Sequence, residues 1–189
     1  MLVSRRQLRR EIRCVRAADL QRAIPHAEHT LTDHQHHLGP DHIDNLTAYS
    51  YLADAYQQAG RVGEAIELFE QLLTDFRRIL GDDHPHTLST RHELASAYQQ
   101  AGRVGEAIEL FEQLLTDRRR ILGDDHPNTL STRNYLAYTY QHAGRVREAI
   151  ELLEQLLTDS ERVLGHDHPT TGSARRSLAV AHAARRSSE

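Results

Sequence analysis

Fourteen histidines in a chain of 189 residues are the first candidates for chemistry. His84, His126 and His168 share one setting, between an aspartate and a proline: Asp83-His84-Pro85, Asp125-His126-Pro127 and Asp167-His168-Pro169. A carboxylate beside an imidazole can move protons, and grouped imidazoles can hold zinc. The spacing argues against both. The three copies stand 42 residues apart (126 − 84 = 168 − 126 = 42). One copy per structural unit keeps them about 8–10 Å apart or more, whereas zinc needs imidazole nitrogens near ~2.1 Å. No nucleophile recurs with them, so the pairs read as loop and capping architecture. His34, His36, His37 and His42 form a tighter group that suits either a metal or pH-sensing site or a solvated helix end. The expectation for the chain is no catalytic, cofactor-binding or metal-binding residue, no cofactor and no enzyme.

What positions these histidines is a repeat. The stretch Tyr56 to Pro85 returns at Tyr98 to Pro127 with one substitution, Phe76 becoming Arg118, and Leu-Gly at 38–39, 80–81, 122–123 and 164–165 keeps the same beat. Near-copies of one unit imply an array in which each unit packs on its neighbours. Function then belongs to the surface displayed. The expected division is a divergent opening hairpin at 1–38, repeats at 39–80, 81–122 and 123–164, and a capping helix with a tail at 165–189.

Each repeat reads as two helices. Leu88, Arg91, Leu94, Ala95 and Tyr98 fall at helical spacing, with Pro85 in the first turn, Asp83 or His84 as the cap and Gly102 as the left-handed stop. After Gly102, Val104, Ala107, Ile108, Phe111, Leu114, Leu115, the Arg118 stem, Ile121 and Leu122 make an apolar face opposite Glu106, Glu109, Glu112 and Asp117. Gly123 ends it. One hairpin cannot bury so broad an apolar set, so neighbours must. Ala53, Ala65, Ala95, Ala107, Ala137 and Ala149 mark close helix approaches, with Tyr56, Phe69, Tyr98, Phe111 and Tyr140 filling the space between units. A last helix is expected at about Thr171 to Ala184, and one period before the repeats Asp19 to Leu38 matches a second helix, preceded by a helix carrying Leu8, Ile12 and Val15.

These residues resemble the tetratricopeptide repeat. Leu52-Ala53 with Tyr56, Leu94-Ala95 with Tyr98 and Leu136-Ala137 with Tyr140 match its first helix; Gly60, Gly102 and Gly144 match its turn; Ala65, Ala107 and Ala149, with Phe69, Phe111 and Leu153, match its second helix. The 42-residue form, with DHP linkers, is similar to the repeats of kinesin light chain and of bacterial regulators. The resemblance implies an all-α, right-handed α-solenoid of helical hairpins whose concave face, lined by first helices, binds a protein or peptide segment as scaffold or adaptor. On that resemblance the peptide groove consists of Thr47, Ser50, Asp54 and Gln57; Ser89, His92, Ser96 and Gln99; Ser131, Asn134, Tyr138 and Gln141; and Arg176, with Ser173 and Val180 beside it. The alternatives are a self-assembly module, stacking end to end or swapping hairpins as a homo-oligomer, and the sensor part of a bacterial regulator.

Composition sets the remaining bounds. Net charge of −4 argues against nucleic acid as the main partner, although Arg5, Arg6, Arg9, Arg10, Arg13 and Arg16 against Glu11 make the first helix locally basic. Every one of the 23 basic residues is Arg, so each cation can fork onto a carboxylate. A single cysteine, Cys14, forbids an intramolecular disulfide. The opening residues lack the apolar core of a secretory signal and no run reaches the ~18 apolar residues of a membrane helix, so the expectation is a cytoplasmic protein without membrane insertion.

Overall fold

The computed structural model describes residues 24, 25, 27–29, 31, 39 and 41–188. Its helices, after a helical stretch that includes Ile24, Pro25, 27–29 and Leu31, are α1 (Ile43–Gln58), α2 (Val62–Leu80), α3 (Pro85–Gln100), α4 (Val104–Leu122), α5 (Pro127–His142), α6 (Val146–Leu164) and α7 (Pro169–Ser188). No strand occurs among the described residues. The chain divides into two compact units, residues 1–101 and 102–189. In the first, α1 packs on α2 and on α3, and α2 on α3; in the second, α5 packs on α4, α6 and α7, and α6 on α7.

The histidine of each linker starts a helix. At α1, α3 and α5, His42, His84 and His126 are the N-caps, and their Nδ1 atoms accept the backbone N–H of Asp44, His86 and Asn128 at 3.2, 3.2 and 3.1 Å. His168 repeats the bond with Thr170 at 3.2 Å. Imidazole thus takes the role usually given to Ser or Asp, satisfying one of the first-turn donors. Between the two choices for the cap, the structure selects His84 over Asp83. His34, His36 and His37 lie outside the described residues, as do the basic first helix and Cys14.

Second helices start differently. No side-chain oxygen caps α2, α4 or α6. Instead Arg61, Arg103 and Arg145 fork onto Glu64, Glu106 and Glu148, setting a carboxylate in the first turn where the helix dipole favours it. The turn before each needs a left-handed residue, and Gly60, Gly102 and Gly144 provide φ of 79°, 77° and 75°.

The core follows the expected small-residue rule. Ala53, Ala65, Ala95, Ala107, Ala137 and Ala149 are all fully buried, with Phe69, Phe76, Phe111, Leu114, Leu153 and Leu156 filling the layers. Tyr56, Tyr98 and Tyr140 are only half-buried, and their hydroxyls reach carboxylates: Tyr56 donates to Glu28 at 2.6 Å, Tyr98 to Glu70 at 2.7 Å and Tyr140 to Glu112 at 2.6 Å. Burial, and then the hydrogen bond to a negatively charged partner, push the Tyr56 and Tyr140 phenols up to about 12. Arg61 and Arg145 lie 4.3 Å from the centres of the same two rings. The last helix runs Pro169–Ser188, longer at both ends than the span read from spacing.

Candidate functional site

In each unit the expected groove residues project from first helices that lie side by side, α1 with α3 and α5 with α7. All thirteen lie on α1, α3, α5 or α7, and none of them is fully buried. Helical spacing keeps them off the buried side, since the stripe lies about a quarter turn around each helix from the alanines that pack inward.

On the first unit, Thr47 and Ser50 turn their hydroxyl hydrogens back onto the carbonyls of Ile43 (2.7 Å) and Leu46 (3.0 Å), so these oxygens remain as acceptors only. Gln57 Nε2 donates to Ser96 Oγ at 3.4 Å, tying α1 to α3. Between those ties sits Asp54, half-buried, its carboxyl pushed up to about 7 by burial and, second, by the negative charge of Glu93 on α3. His92 and Gln99 are half-buried and Ser89 is exposed. This face carries two carboxylates, Asp54 and Glu93, and no arginine apart from buried Arg91.

The second unit ties its first helices at other positions and changes the lining. Asn134 Nδ2 donates to Ser173 Oγ at 3.3 Å and Gln141 Nε2 to the Ser177 carbonyl at 3.3 Å, both joining α5 to α7. The Asn134 Oδ1 is buried and accepts no hydrogen bond. Tyr138, where the first unit has Asp54, is 46 % exposed and meets the His142 ring edge-on at 4.4 Å. Val180, one repeat further, is 60 % exposed. Ser131 is half-buried and Arg176 exposed on the same side.

The structure also contains ion pairs that spacing did not reveal. Arg91, in phase with the apolar residues of its helix, and its counterpart Arg133 are both buried. Arg91 donates to Asp82 at 3.0 Å; Arg133 binds Asp124 and donates to Asp159 at 2.6 Å. The first aspartate of each DDHP linker is thus a partner for a buried cation, and an arginine repeated in phase with that aspartate was the signal available. A depression of ≈ 640 Å³ lined by Arg119, Asp124, Arg133, Glu154, Gln155, Thr158 and Asp159 opens beside this network. It lies apart from the expected groove residues. Among the described residues no group of three or more His, Cys, Asp or Glu side chains is placed to hold a metal ion. No helix there is long and apolar enough to cross a membrane.

Tandem helical hairpins with glycine turns, stacked through alanines and displaying rows of first-helix side chains, define an α-helical repeat protein of the kind that mediates protein–protein interaction. The chain belongs to the tetratricopeptide repeat family, whose pattern matches residues 14–77, 44–119, 88–158 and 132–189. Its fold class is accordingly the all-α solenoid of tetratricopeptide hairpins.

Solved structures agree. A Podosopora anserina protein assigned as a kinesin light chain, with nearly identical TPR-like repeats, is 35% identical, with TM-score 0.81 over 96% of this chain and 84% of that one. A variant of the same protein gives 34% and 0.83 over the same shares. BtubC (BKLC) from P. vanneervenii, 20% identical, shares the fold with TM-score 0.67 over 94% of this chain and 66% of its own. No curated protein matches the chain.

Proposed function

We propose that the chain is a non-enzymatic scaffold or adaptor that holds a segment of another protein against its first helices. The family supplies the general role, protein interaction; the binding mode is our reading. The observation that carries it is the pair of inter-helix ties, Gln57 to Ser96 in one unit and Asn134 to Ser173 in the other, between half-exposed polar residues. Such ties fix neighbouring helices while leaving acceptors and short side chains toward an incoming backbone. Thr47, Ser50, Asp54, Gln57, Ser89, His92, Ser96 and Gln99 would form one stretch of contact, and Ser131, Asn134, Tyr138, Gln141 and Arg176 another.

The experiment is co-purification with mass spectrometry, comparing wild type with the double variant His92→Glu, Asn134→Glu. Loss of a defined set of partners supports this reading. Equal recovery of every partner overturns it, since two new carboxylates in the middle of the contact stretches would repel or block any segment lying there.

A further inference from the structure

The hairpins of the two units are closed in one way, and α7 displays the open half of the same closure. In the second unit α6 covers α5 with Ala149, Ile150, Leu153 and Leu156, all buried, against Ala137 at 0 % exposure. Two charge pairs close one end of that apolar contact. Arg162 of α6 reaches back to Asp125 in the linker before α5, at 3.0 and 2.5 Å, and Asp159 of α6 accepts from Arg133 of α5 at 2.6 Å. The first unit makes the corresponding clasp between Arg78 of α2 and Asp41, at 3.1 and 2.5 Å.

One repeat on from α5, α7 carries the same sockets. Ala179 stands where Ala137 stands and is exposed; Leu178, in the place of buried Leu136, is half-buried. Arg175 takes the place of Arg133, and its side chain is 53% exposed against 3%. It donates to Glu161 of α6 at 2.7 Å from one nitrogen, which leaves the rest of its fork facing outward. Asp167 takes the place of Asp125, is exposed and forms no ion pair among the described residues. Meanwhile Thr171, Ala174 and Ala181, on the side turned to the rest of the unit, are fully buried. The exposed strip is therefore a bounded one, and its chemistry is dictated by the closures that are filled.

We propose that the outer face of α7 docks an amphipathic helix supplied by a partner, carrying the stripe Ala-Ile-x-x-Leu-x-x-Leu followed at the same spacing by Asp and then Arg. The apolar stripe covers Leu178 and Ala179, the partner's aspartate meets Arg175 and its arginine meets Asp167. The aspartate and the arginine, one turn apart at the C-terminal end of the partner helix, meet Arg175 and Asp167 near the N-terminal end of α7, which sets the partner antiparallel and fixes its register. A helix with the two charges exchanged would bring like charges together at both Arg175 and Asp167. This site is separate from the first-helix contact stretches of the preceding section.

The test uses the full chain and, as probe, a synthetic labelled peptide with the sequence of Val146–Leu164, read by fluorescence anisotropy. Saturable binding with one peptide per chain is expected. Ala179→Glu should abolish it, and Asp167→Arg should weaken it about tenfold, a loss recovered when the peptide carries Arg162→Asp. Both substituted residues are exposed, and circular dichroism melts check that the variants stay folded. Binding indifferent to Ala179→Glu, or no recovery in the charge-swapped pair, overturns the proposal. So does a concentration-dependent dimer of the chain alone that disappears with Ala179→Glu, which would make a second copy the occupant. Peptide binding is read on the purified chain and partner loss by co-purification, so that failure here and failure of the first-helix reading are separate results.

Discussion

Phe76 in the first unit and Arg118 in the second occupy the same slot of the same repeated stretch, and they fill it by opposite means. Phe76 is fully buried and stacks on the His86 ring at 5.5 Å with the planes 11° apart. Arg118 is 5% exposed and directs its guanidinium to Thr132 Oγ1 at 2.6 Å and the Asn128 carbonyl at 3.1 Å. His86 has become Asn128 in step. The slot thus tolerates an aromatic ring or a long cation, provided that the start of the next first helix offers a ring in one case and oxygens in the other. In the third copy the position is Ser160, buried with an Oγ that has no hydrogen-bond partner. What the repeat keeps is a packed environment rather than a residue type.

The first-helix faces differ in the same spirit. Asp54 with Glu93 on one unit gives way to Tyr138 with Val180 on the other, and the first helices are tied at different positions, Gln57 to Ser96 in one and Asn134 to Ser173 in the other. The scaffold is constant, and the lining varies because nothing in the hairpin's own packing depends on it.

The largest effect that can break the comparison is Phe76→Ala, which empties a fully buried site and should cost about 3–5 kcal/mol in urea unfolding. A loss under about 1 kcal/mol would mean that the slot collapses freely and that its filling is immaterial. Next, Ala107→Leu at a close helix approach should cost about 1–3 kcal/mol by overpacking, measured in the same way.

Asp54→Asn sharpens the contrast between faces. The Asp54 carboxyl is raised to about 7, above its unfolded value, so the folded chain holds the proton more tightly than the unfolded one. Stability from this group is therefore full below the ordinary carboxylate range and is lost as pH rises through about 7. Between about pH 5 and about pH 8 the wild type should lose more than about 1 kcal/mol relative to the Asn variant. Parallel pH profiles for the two proteins would refute that assignment.

The exchange Arg118→Phe should be close to neutral, within about 1 kcal/mol, because it replaces a buried hydrogen-bonded cation with the filling that the neighbouring copy uses. A large destabilisation would show that the Thr132 and Asn128 bonds, and not volume, hold the slot. Smallest of all, Arg78→Ala removes an exposed clasp and should leave a thermal melt indistinguishable from wild type at high salt.

Much of this was legible from spacing. A 42-residue period with Gly60, Gly102 and Gly144 in register fixes hairpins, because only glycine takes the left-handed turn cheaply, and the alanines at one phase fix where helices touch. The first-helix residues could be placed on one side for the same reason, namely that 3.6-residue periodicity orders side chains without any knowledge of neighbours. Spacing put Arg91 in phase with the apolar set but did not show what would neutralise it or Arg133. Their burial depends on Asp82, Asp124 and Asp159 arriving from other segments, and a charge becomes a core residue only when its partner is brought to it.

The sequence by itself determined the hairpin, its glycine turns and its repeat, since these are local consequences of backbone chemistry. Tertiary structure alone decided which polar side chains are committed to neighbours and which stay available: Gln57 to Ser96, Tyr56 to Glu28, Arg162 to Asp125, with Asp167 left open at the equivalent place. That division depends on distances between helices far apart in the chain, which no local pattern encodes.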